Sequence, residues 1–330
     1  MIKVLFIASA NKGNISPIVL SQGLSLSRSG ITISYFGIEG KGIAGYLSNV
    51  SRIRKRIRDT NPDIIHAHYS YSGIAACLAA GGKPVVVSLM GSELANKGIY
   101  RFATTFFSRY LWDITIVKSE WMANRTGSRR TVVIPNGVDL DQFFPMDDRP
   151  ALKKKHGLPA DKKHVLFIAD PARYSKNHEL ARQATGLVPG DDAELVVRYD
   201  LPHSDMPELI NAADVVLLTS RWEGSPNIVK EAMACNCPVV ATDVGDIAWL
   251  FGSEKGYYIA DPDPTDVAQK LGQALQVRRG TDAVNGRERL QVLGLDSGTI
   301  AQRITAVYDA LLSDDKYHKK QPSKPSVIRK

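Results

Sequence analysis

Hydrophobic and polar positions follow two alternating patterns along the chain. Short apolar runs bounded by polar turn residues predict strands covered on both faces, whereas apolar residues every three or four positions predict helices. The strands predicted in the first half are Lys3–Ser9, Ile31–Phe36, Asp63–His68, Pro84–Leu89, Ile114–Val117 and Val132–Ile134. Those predicted in the second half are His164–Ile168, Glu194–Arg198, Val215–Thr219 and Pro238–Thr242.

Helical patterns separate several of these strands, which favours parallel βαβ units. The series restarts after a connection rich in proline and charge, so we predict an α/β protein with two doubly wound, Rossmann-like domains facing each other across a cleft. The predicted division is an N-terminal domain at 1–145, a linker at 146–160, a C-terminal domain at 161–299, a helix at 300–312 and a basic, disordered tail at 313–330.

Composition narrows the class of protein. The 330 residues are 44% hydrophobic and 23% charged, which is ordinary for a globular chain and excludes collagen-like, disordered and disulfide-scaffold classes. No apolar run is long enough for a membrane-spanning helix, and the first apolar run is too short for a secretory signal. The chain has three cysteines, too few for a disulfide framework, which suits a reducing compartment. We expect Cys235 and Cys237 to be small buried residues. We therefore expect a cytoplasmic protein.

The net charge of +8 is unevenly distributed. Residues 1–145 carry +9, residues 146–312 carry −5 and residues 313–330 carry +4. This asymmetry indicates an anionic partner for the first half, either phospholipid headgroups or nucleic acid, although a solvated basic surface is an equally simple explanation. The basic residues of 52–58 lie on a helical pattern and suit a lipid surface or solvent. An aromatic set is expected mainly in the core: Tyr100, Phe102, Phe106, Phe107, Tyr110 and Trp112.

The loop after Val215–Thr219 contains the most candidate functional residues. Parallel sheets bind ligands beyond the carboxyl ends of their strands. Here Glu223 lies in the loop and Glu231 about one turn into the next helix, so that both carboxylates could reach neighbouring hydroxyl groups. Ser225 is the predicted N-cap, and the amides at such a helix start favour anions.

These residues carry a family resemblance. The run from Glu223 to Glu231, followed by 232–242, resembles the E-x7-E signature of the retaining GT-B glycosyltransferases of family 4. The segments 134–139, 63–68 and 91–93 are similar to first-domain elements of that family, in the family's order. The resemblance covers about residues 1–312.

The resemblance implies a nucleotide-sugar donor held mainly by the second domain, with the acceptor on the first. Glu231 would accept hydrogen bonds from the ribose hydroxyls, Glu223 would lie by the transferred sugar, and Lys176 would bind the diphosphate with Arg173 as a second cation. The backbone of Gly224, Ser225, Pro226 and Asn227 would approach the sugar hydroxyls and the diphosphate. Fixed cations and amides that stabilise the leaving group can replace a metal, so no metal or other cofactor is expected.

The first domain offers further candidates. Gly13 and Asn14 lie in a segment that resembles the family's glycine-rich loop, and they are candidates for a phosphate or sugar contact. Where many family members have a histidine, this chain has Met90, followed by Gly91, Ser92 and Glu93. Methionine cannot make the same hydrogen bond, so His68 and Glu93 are the available substitutes near the acceptor and sugar.

Other readings of single motifs remain. His66 and His68 share a strand face, but no third ligand is near in sequence, which disfavours a metal site. The D-x-D runs at 139–141 and 261–263 lie in turn contexts and are read as turns.

We predict a retaining hexosyltransferase that moves a sugar from a nucleotide diphosphate donor, preferably a UDP-sugar, to a glycan or lipid-linked oligosaccharide in surface polysaccharide synthesis. A nucleotide-sugar 2-epimerase of the same fold and a non-catalytic nucleotide-sugar-binding scaffold are the alternatives. An anionic membrane surface is a possible further partner of the basic first domain, at the inner face of the plasma membrane. A nucleic-acid partner is not expected, since no recognition motif accompanies the basic charge.

Overall fold

The computed structural model describes residues 1–11, 13–95, 98–190, 192–277 and 284–313. By packing, the chain divides into two compact units. The first comprises Met1–Ser88, Phe106–Thr115 and Ala301–Lys330, described as far as residue 313, and the second comprises Leu89–Thr105 and Ile116–Ile300. The predicted tail therefore lies almost wholly outside the described residues. Among the described helices, none is both long enough and apolar enough to cross a membrane.

Two sheets of mostly buried strands form the framework. The first has the order β2-β1-β3-β4-β5-β6, and β1 pairs in parallel with β2 and β3, as β3 does with β4. Its strands are β1 (Lys3–Ser9), β2 (Thr32–Ile38), β3 (Ile64–His68), β4 (Val85–Ser88), β5 (Ile114–Val117) and β6 (Thr131–Val133).

The second sheet has the order β11-β10-β9-β7-β8, and all of its pairings are parallel. Its strands are β7 (Lys163–Ile168), β8 (Ala193–Arg198), β9 (Val215–Leu218), β10 (Val239–Thr242) and β11 (Tyr257–Ala260). Both sheets reverse their strand order once, between β1 and β3 in the first and between β7 and β9 in the second. Ligands of doubly wound sheets bind beside such a reversal.

Helices connect the strands of each sheet. Those up to residue 126 are α1 (Pro17–Arg28), α2 (Gly42–Leu47), α3 (Val50–Thr60), α4 (Ser70–Ala79), α5 (Ser92–Ala95), α6 (Ile99–Tyr110) and α7 (Glu120–Thr126). Those that follow are α8 (Arg149–Lys155), α9 (His178–Gly186), α10 (Met206–Ala212), α11 (Asn227–Ala234), α12 (Ile247–Phe251), α13 (Pro264–Ala274), α14 (Gly286–Val292) and α15 (Ser297–Leu312).

The predicted strands are confirmed to within two residues at each end, because long apolar runs tolerate few alternatives. Strand β11 was not predicted from the sequence, although its residues Tyr257–Ala260 form a short apolar run. The N-cap of α11 is Pro226 and not Ser225, so the helix begins one residue later than predicted. The Ser225 hydroxyl instead accepts a hydrogen bond from Lys230 Nζ at 3.0 Å.

The predicted 146–160 connection contains a helix. The first residue of α8, Arg149, donates to Asp214 at 2.7 Å, and Lys153 on the same helix donates to that carboxylate at 3.0 Å. Asp148 caps α8 by accepting from the amide of Ala151. These ion pairs hold α8 against the start of β9.

The prediction that the aromatic set of 100–112 lies mainly in the core was wrong for three of its members. Trp112 is fully buried, but Phe102, Phe106 and Tyr110 are exposed. The reason is that α6 turns a polar face inward: Thr104 and Ser108 are fully buried. The two cysteines predicted to be buried, Cys235 and Cys237, are confirmed as buried thiols.

Candidate functional site

The strand reversal of the second sheet places two loops side by side. The loop after β7 runs from Asp170 to Asn177 and contains a 3-10 turn at Tyr174–Lys176. The loop after β9 runs from Thr219 to Pro226 and leads into α11. All of the second-domain residues to which the sequence assigned a role, from Arg173 to Glu231, belong to these two loops or to the first turns of α11.

Lys176 and Glu223 form the closest charged contact between the two loops. Lys176 Nζ donates to Glu223 Oε1 at 2.5 Å, and the Ser220 hydroxyl donates to the same oxygen at 2.7 Å. Both charged side chains are about one-sixth exposed, so they are partly shielded from water yet still open to a ligand. The predicted diphosphate cation and the predicted sugar carboxylate therefore lie together.

Backbone and side-chain bonds fix the separation of the two loops. The Thr219 hydroxyl donates to the carbonyl oxygens of Lys176 and Asn177, each at 3.0 Å, and the amide of Arg221 donates to Ser175 O at 2.8 Å. Asn177 adopts a left-handed conformation with φ of 52°, which asparagine tolerates better than most residues. The Arg221 guanidinium lies 4.4 Å from the centre of the Tyr174 ring. This framework presets the position of Lys176 before any ligand binds.

Glu231 lies in the second turn of α11 and is nearly buried. Its Oε1 accepts a hydrogen bond from His203 Nε2 at 3.1 Å, and the His203 ring packs edge-on against Phe143. The hydrogen bond to Glu231 raises the pKa of His203 above its usual value. One oxygen of Glu231 is thus oriented by His203, and the Glu231 side chain is 12% exposed.

Lys230, next to Glu231, points away from solvent and is fully buried. Its ammonium donates to Asn136 O at 2.8 Å and to the Ser225 hydroxyl at 3.0 Å. Burial lowers the pKa of Lys230 to about 8. The side-chain amide of Asn136 also donates to Asn227 Oδ1 at 3.3 Å. Asn136 is therefore bonded to two residues of α11, Asn227 and Lys230.

Three glycines allow three loops to meet at this place. A Cβ on Gly91 would lie 2.8 Å from the amide nitrogen of Gly224, and one on Gly224 would lie 2.7 Å from the carbonyl oxygen of Met90. A Cβ on Gly245 would lie 2.8 Å from the carbonyl oxygen of Gly224. No residue with a side chain fits at such distances. Gly224 is therefore fixed from two sides, directly after Glu223.

The Glu93 carboxyl group binds the backbone of the turn at Met90 and Gly91. Its carboxylate is fully buried and accepts hydrogen bonds from the amides of Met90, at 3.1 Å, and Gly91, at 2.8 Å. Burial raises the pKa of Glu93. The neighbouring Lys118 is also buried, and burial, together with the charge of Lys230, lowers the pKa of Lys118 to about 7. The turn is thus held by a buried carboxyl group, whereas the Lys118 ammonium donates to Ile134 O at 3.4 Å.

The remaining predicted site residues occupy different positions. Arg173 is exposed at the start of the 3-10 turn, and Met90 and Ser92 lie on the turn above Glu93. In the first unit, Gly13, with φ of 90°, and Asn14 are exposed in the loop after β1. His68 is buried at the end of β3, where its ring stacks on His66 at 4.6 Å between ring centres.

His203, Lys118 and the support role of Lys230 were not predicted from the sequence. His203 is 28 residues before Glu231, in a segment with no recognisable motif, so only the folded chain brings the two together. Lys118 does carry a signal, since a lysine directly after the apolar run of β5 is unusual for a buried strand end. Lys230 lies inside the run from Glu223 to Glu231, directly before Glu231.

Two glycosyltransferase family models match successive parts of the chain. The family model described as Glycosyltransferase Family 4 matches residues 9–142, and the model described as Glycosyl transferases group 1 matches residues 150–277. Together they cover most of the chain.

Solved structures share the fold over nearly the whole chain. Sucrose-phosphate synthase from Thermosynechococcus elongatus superimposes with a TM-score of 0.77 at 18% identity, covering 95% of this chain and 100% of that one. Anabaena HepE in complex with UDP and glucose gives a TM-score of 0.76 at 18% identity, covering 94% and 100%. The two doubly wound sheets and these similarities define the GT-B class of glycosyltransferase folds. Within that class, the chain belongs to the family-4 type of glycosyltransferases.

Two curated relatives are similar over most of the chain. The putative teichuronic acid biosynthesis glycosyltransferase TuaC of Bacillus subtilis is 27% identical over 247 residues, which are 66% of this chain and 61% of that protein. An Escherichia coli UDP-Gal:alpha-D-GlcNAc-diphosphoundecaprenol alpha-1,3-galactosyltransferase is 25% identical over 262 residues, covering 67% and 68%. The chain thus matches less than two thirds of the length of TuaC.

Proposed function

We propose that this glycosyltransferase moves a hexosyl group from a UDP-sugar to a glycan or lipid-linked oligosaccharide, with retention at the anomeric carbon. The observation that carries the proposal is the contact of Lys176 with Glu223, 2.5 Å apart at the strand reversal of the second sheet, beside the start of α11. A cation, a carboxylate and helix amides at one place suit a ligand with a diphosphate and a hydroxylated sugar.

The leaving group determines what the site must supply. Cleavage of the bond between sugar and phosphate adds about one negative charge to the diphosphate and makes the sugar cation-like. Lys176 and the amides from Gly224 to Asn227 would stabilise the diphosphate, with exposed Arg173 as a second cation. Lys176 is fixed through the Thr219 bonds to its backbone, so little reorganisation is needed during the reaction. With these fixed charges, the transfer would need no metal.

The two carboxylates would divide the donor between them. Glu231, oriented by His203, would accept from the ribose hydroxyls through its second oxygen. Glu223 would release Lys176 to the diphosphate when the donor binds and turn its own oxygens to the sugar hydroxyls. Binding of the donor would therefore replace one ion pair by two charge-assisted interactions, Lys176 with phosphate and Glu223 with hydroxyl groups.

The relatives and the charge of the chain support the proposed acceptor. The Escherichia coli relative is named for a sugar acceptor on diphosphoundecaprenol, and a Campylobacter jejuni relative, 23% identical, is named for transfer to another diphospho-undecaprenol sugar. We extend this acceptor class to the present chain, with a role in surface polysaccharide synthesis. The net charge of +9 in residues 1–145 would favour work at the inner face of an anionic membrane.

The first experiment is a thermal-shift series with UDP, GDP, ADP and their sugar conjugates, each with and without EDTA. A ligand at one hundred times its dissociation constant adds roughly 2.7 kcal/mol to the free energy of unfolding. We expect a shift with UDP that EDTA leaves unchanged. A shift with another base would correct the donor, loss of the shift in EDTA would contradict metal independence, and no shift with any nucleotide would overturn the donor site.

Retention is tested on the product. NMR of the glycoside formed from an α-linked UDP-sugar donor should show an α-configured anomeric proton. A β-linked product would show that the enzyme inverts. Incubation of UDP-N-acetylglucosamine without an acceptor should leave the donor unchanged, whereas conversion to its 2-epimer would identify an epimerase instead.

A further inference from the structure

Helix α6 presents apolar side chains to solvent and small polar side chains to the interior. Thr104 and Ser108 face the interior and are fully buried, and the Ser108 hydroxyl is hydrogen-bonded to Thr115 at 2.9 Å. The large side chains of the helix face solvent at every third or fourth position: Ile99, Phe102, Phe106 and Tyr110, which are 83%, 70%, 44% and 59% exposed. We call these four residues the aromatic face of α6. A helix that packed only on its own sheet would place these residues inward and the small polar residues outward.

The aromatic face continues into neighbouring side chains. Leu111, directly after the helix, is 44% exposed, and its carbonyl lies 3.9 Å from Cys77 Sγ on α4. The next residue of α4, Leu78, is 47% exposed. Six exposed large side chains thus lie on α6, directly after it and on the adjoining part of α4, and we call them the apolar row. Contiguous exposed apolar surface of this kind marks an interaction site more often than single exposed residues do.

Basic side chains border this row. Arg54 on α3 donates from its guanidinium to the carbonyl oxygen of Leu78 at 2.8 Å, which joins α3 to the end of the row. The exposed residues of α3 include Lys55 and Arg58 besides Arg54. On α6 itself the charged residues are Arg101 and Arg109 with no carboxylate, and the Arg109 guanidinium lies 5.8 Å from the centre of the Tyr110 ring.

We propose that the aromatic face of α6 docks on an anionic lipid bilayer, with α3 along its border in contact with the headgroups. Apolar and aromatic side chains with flanking lysines and arginines are the composition of helices that lie in the membrane interface. The charge complementarity argues for anionic lipid over a neutral surface, since each basic residue adds its own attraction to anionic headgroups. This inference gives a defined surface to the membrane location included in the proposed function.

Vesicle binding tests the surface directly. The full chain is sedimented with vesicles of phosphatidylcholine alone or with 30% phosphatidylglycerol. We expect at least tenfold stronger binding to the anionic vesicles, weakened by 0.5 M NaCl. The double variant Ile99→Ser/Phe102→Ser should reduce that binding tenfold or more. The control Trp249→Ser/Val292→Ser removes two exposed apolar side chains elsewhere, 45% and 74% exposed, and should bind as the unchanged chain does.

A second pair of variants separates the charged border from the apolar row. Lys55→Gln/Arg58→Gln should lower binding to anionic vesicles about tenfold and leave the weak binding to phosphatidylcholine unchanged. The control Lys154→Gln/Lys255→Gln, at exposed positions on α8 and before β11, should change neither. Equal loss in both pairs would show a general effect of net charge and would contradict a border role for α3.

Other occupants of the surface give different results. If Ile99→Ser/Phe102→Ser leaves vesicle binding unchanged, or the unchanged chain does not bind anionic vesicles, the proposal is overturned. A dimer in analytical ultracentrifugation that becomes monomeric in this variant, without vesicle binding, would assign the face to a second copy of the chain. The thermal shift with UDP is measured on the same proteins and should be equal in all of them. Failure of that shift with intact vesicle binding would overturn the donor site and leave the docking surface standing.

Discussion

Lys176 Nζ and Glu223 Oε1 lie 2.5 Å apart, although 47 residues of chain separate them. The contact exists because β7 and β9 are neighbours in the sheet, so that the loops at their carboxyl ends meet. Both partners are only partly exposed, and each is also fixed by a second bond, Lys176 through its backbone and Glu223 through Ser220. An ion pair held in this way is already positioned for exchange with a charged ligand.

Replacement of Lys176 by methionine should lower kcat/KM about 100-fold to 1,000-fold. The variant keeps most of the side-chain volume but removes the cation that would stabilise the leaving diphosphate, a loss of roughly 3–4 kcal/mol in the transition state. Steady-state kinetics with a UDP-sugar and a lipid-linked acceptor measure the change. Lys154→Met, at an exposed position of α8, is the matched control and should act as the unchanged enzyme does. A loss below threefold for Lys176→Met would remove it from the donor site.

Glu223→Gln should lower kcat and leave the dissociation constant of UDP nearly unchanged. The amide can still accept from Ser220, so the loop keeps its shape, but the carboxylate charge beside the sugar is lost. Glu231→Gln should have the opposite pattern, with weaker UDP binding of about tenfold, since hydrogen bonds from hydroxyls to a charged acceptor are the stronger ones. Calorimetric titration with UDP, beside kinetics, separates the two. Equal effects of both variants on both quantities would contradict the division of roles.

The pair of His203 and Glu231 should make stability depend on pH. The hydrogen bond to Glu231 raises the pKa of His203 in the folded state, so the folded chain binds this proton more tightly than the unfolded chain. The resulting stabilisation is fully present below about pH 6.5, the unperturbed value, and is lost as the pH rises through the raised pKa. His203→Gln should therefore lose more unfolding free energy at pH 5.5 than at pH 9, as measured by urea denaturation.

A second variant checks the cause of that pH dependence. Glu231→Gln leaves the imidazole in place but removes the charge that raises its pKa. It should reduce the same low-pH stabilisation, and the double variant should add little to either single variant because both act through one contact. Additive losses would assign the pH dependence to other groups.

The sequence predicted the framework better than the contacts that complete the site. Apolar runs such as Lys3–Ser9 and Ile114–Val117 match the observed strands residue for residue, because a strand covered on both faces leaves a continuous signal. Glu223 and Glu231 were identified because their spacing on a loop and helix is local. The contact of Glu231 with His203 depends on how α10 and α11 pack, and no local pattern encodes it.

The exposed aromatic residues of α6 show a different limit of prediction from sequence. Phe102, Phe106 and Tyr110 have helical spacing, and such a stripe is normally buried, because burial of large apolar side chains stabilises a fold. The helix instead buries Thr104 and Ser108, whose hydroxyls are satisfied locally, by Tyr100 O and by Thr115. Periodicity identifies a face of a helix but not the direction in which that face points.

Gly224→Ala should destabilise the folded chain by about 1–3 kcal/mol and weaken UDP binding. A Cβ there would lie 2.7 Å from Met90 O, a backbone atom, so a loop would have to move. Gly272→Ala is the matched control: its Cβ would meet nothing within 4 Å on α13, and it should stabilise by about 0.5–1 kcal/mol. Chemical denaturation and UDP titration of both variants provide the comparison. If Gly224→Ala behaves as Gly272→Ala does, the close contact of the loops does not hold in solution.

Lys118→Met should stabilise the protein at pH 6–7, and the gain should disappear near pH 10. Burial lowers the pKa of Lys118 to about 7, whereas the unfolded value is about 10.4, so between these values the unfolded chain binds the extra proton and stability rises with pH. Methionine removes that cost, by up to about 5 kcal/mol below pH 7. The charge of Lys230 contributes to the lowered pKa of Lys118, so the variant also removes this repulsion between the two lysines. Glu93 keeps its bonds from Met90 and Gly91 in the variant. A variant that is less stable at pH 7 would instead show that Lys118 and Glu93 form a stabilising ion pair.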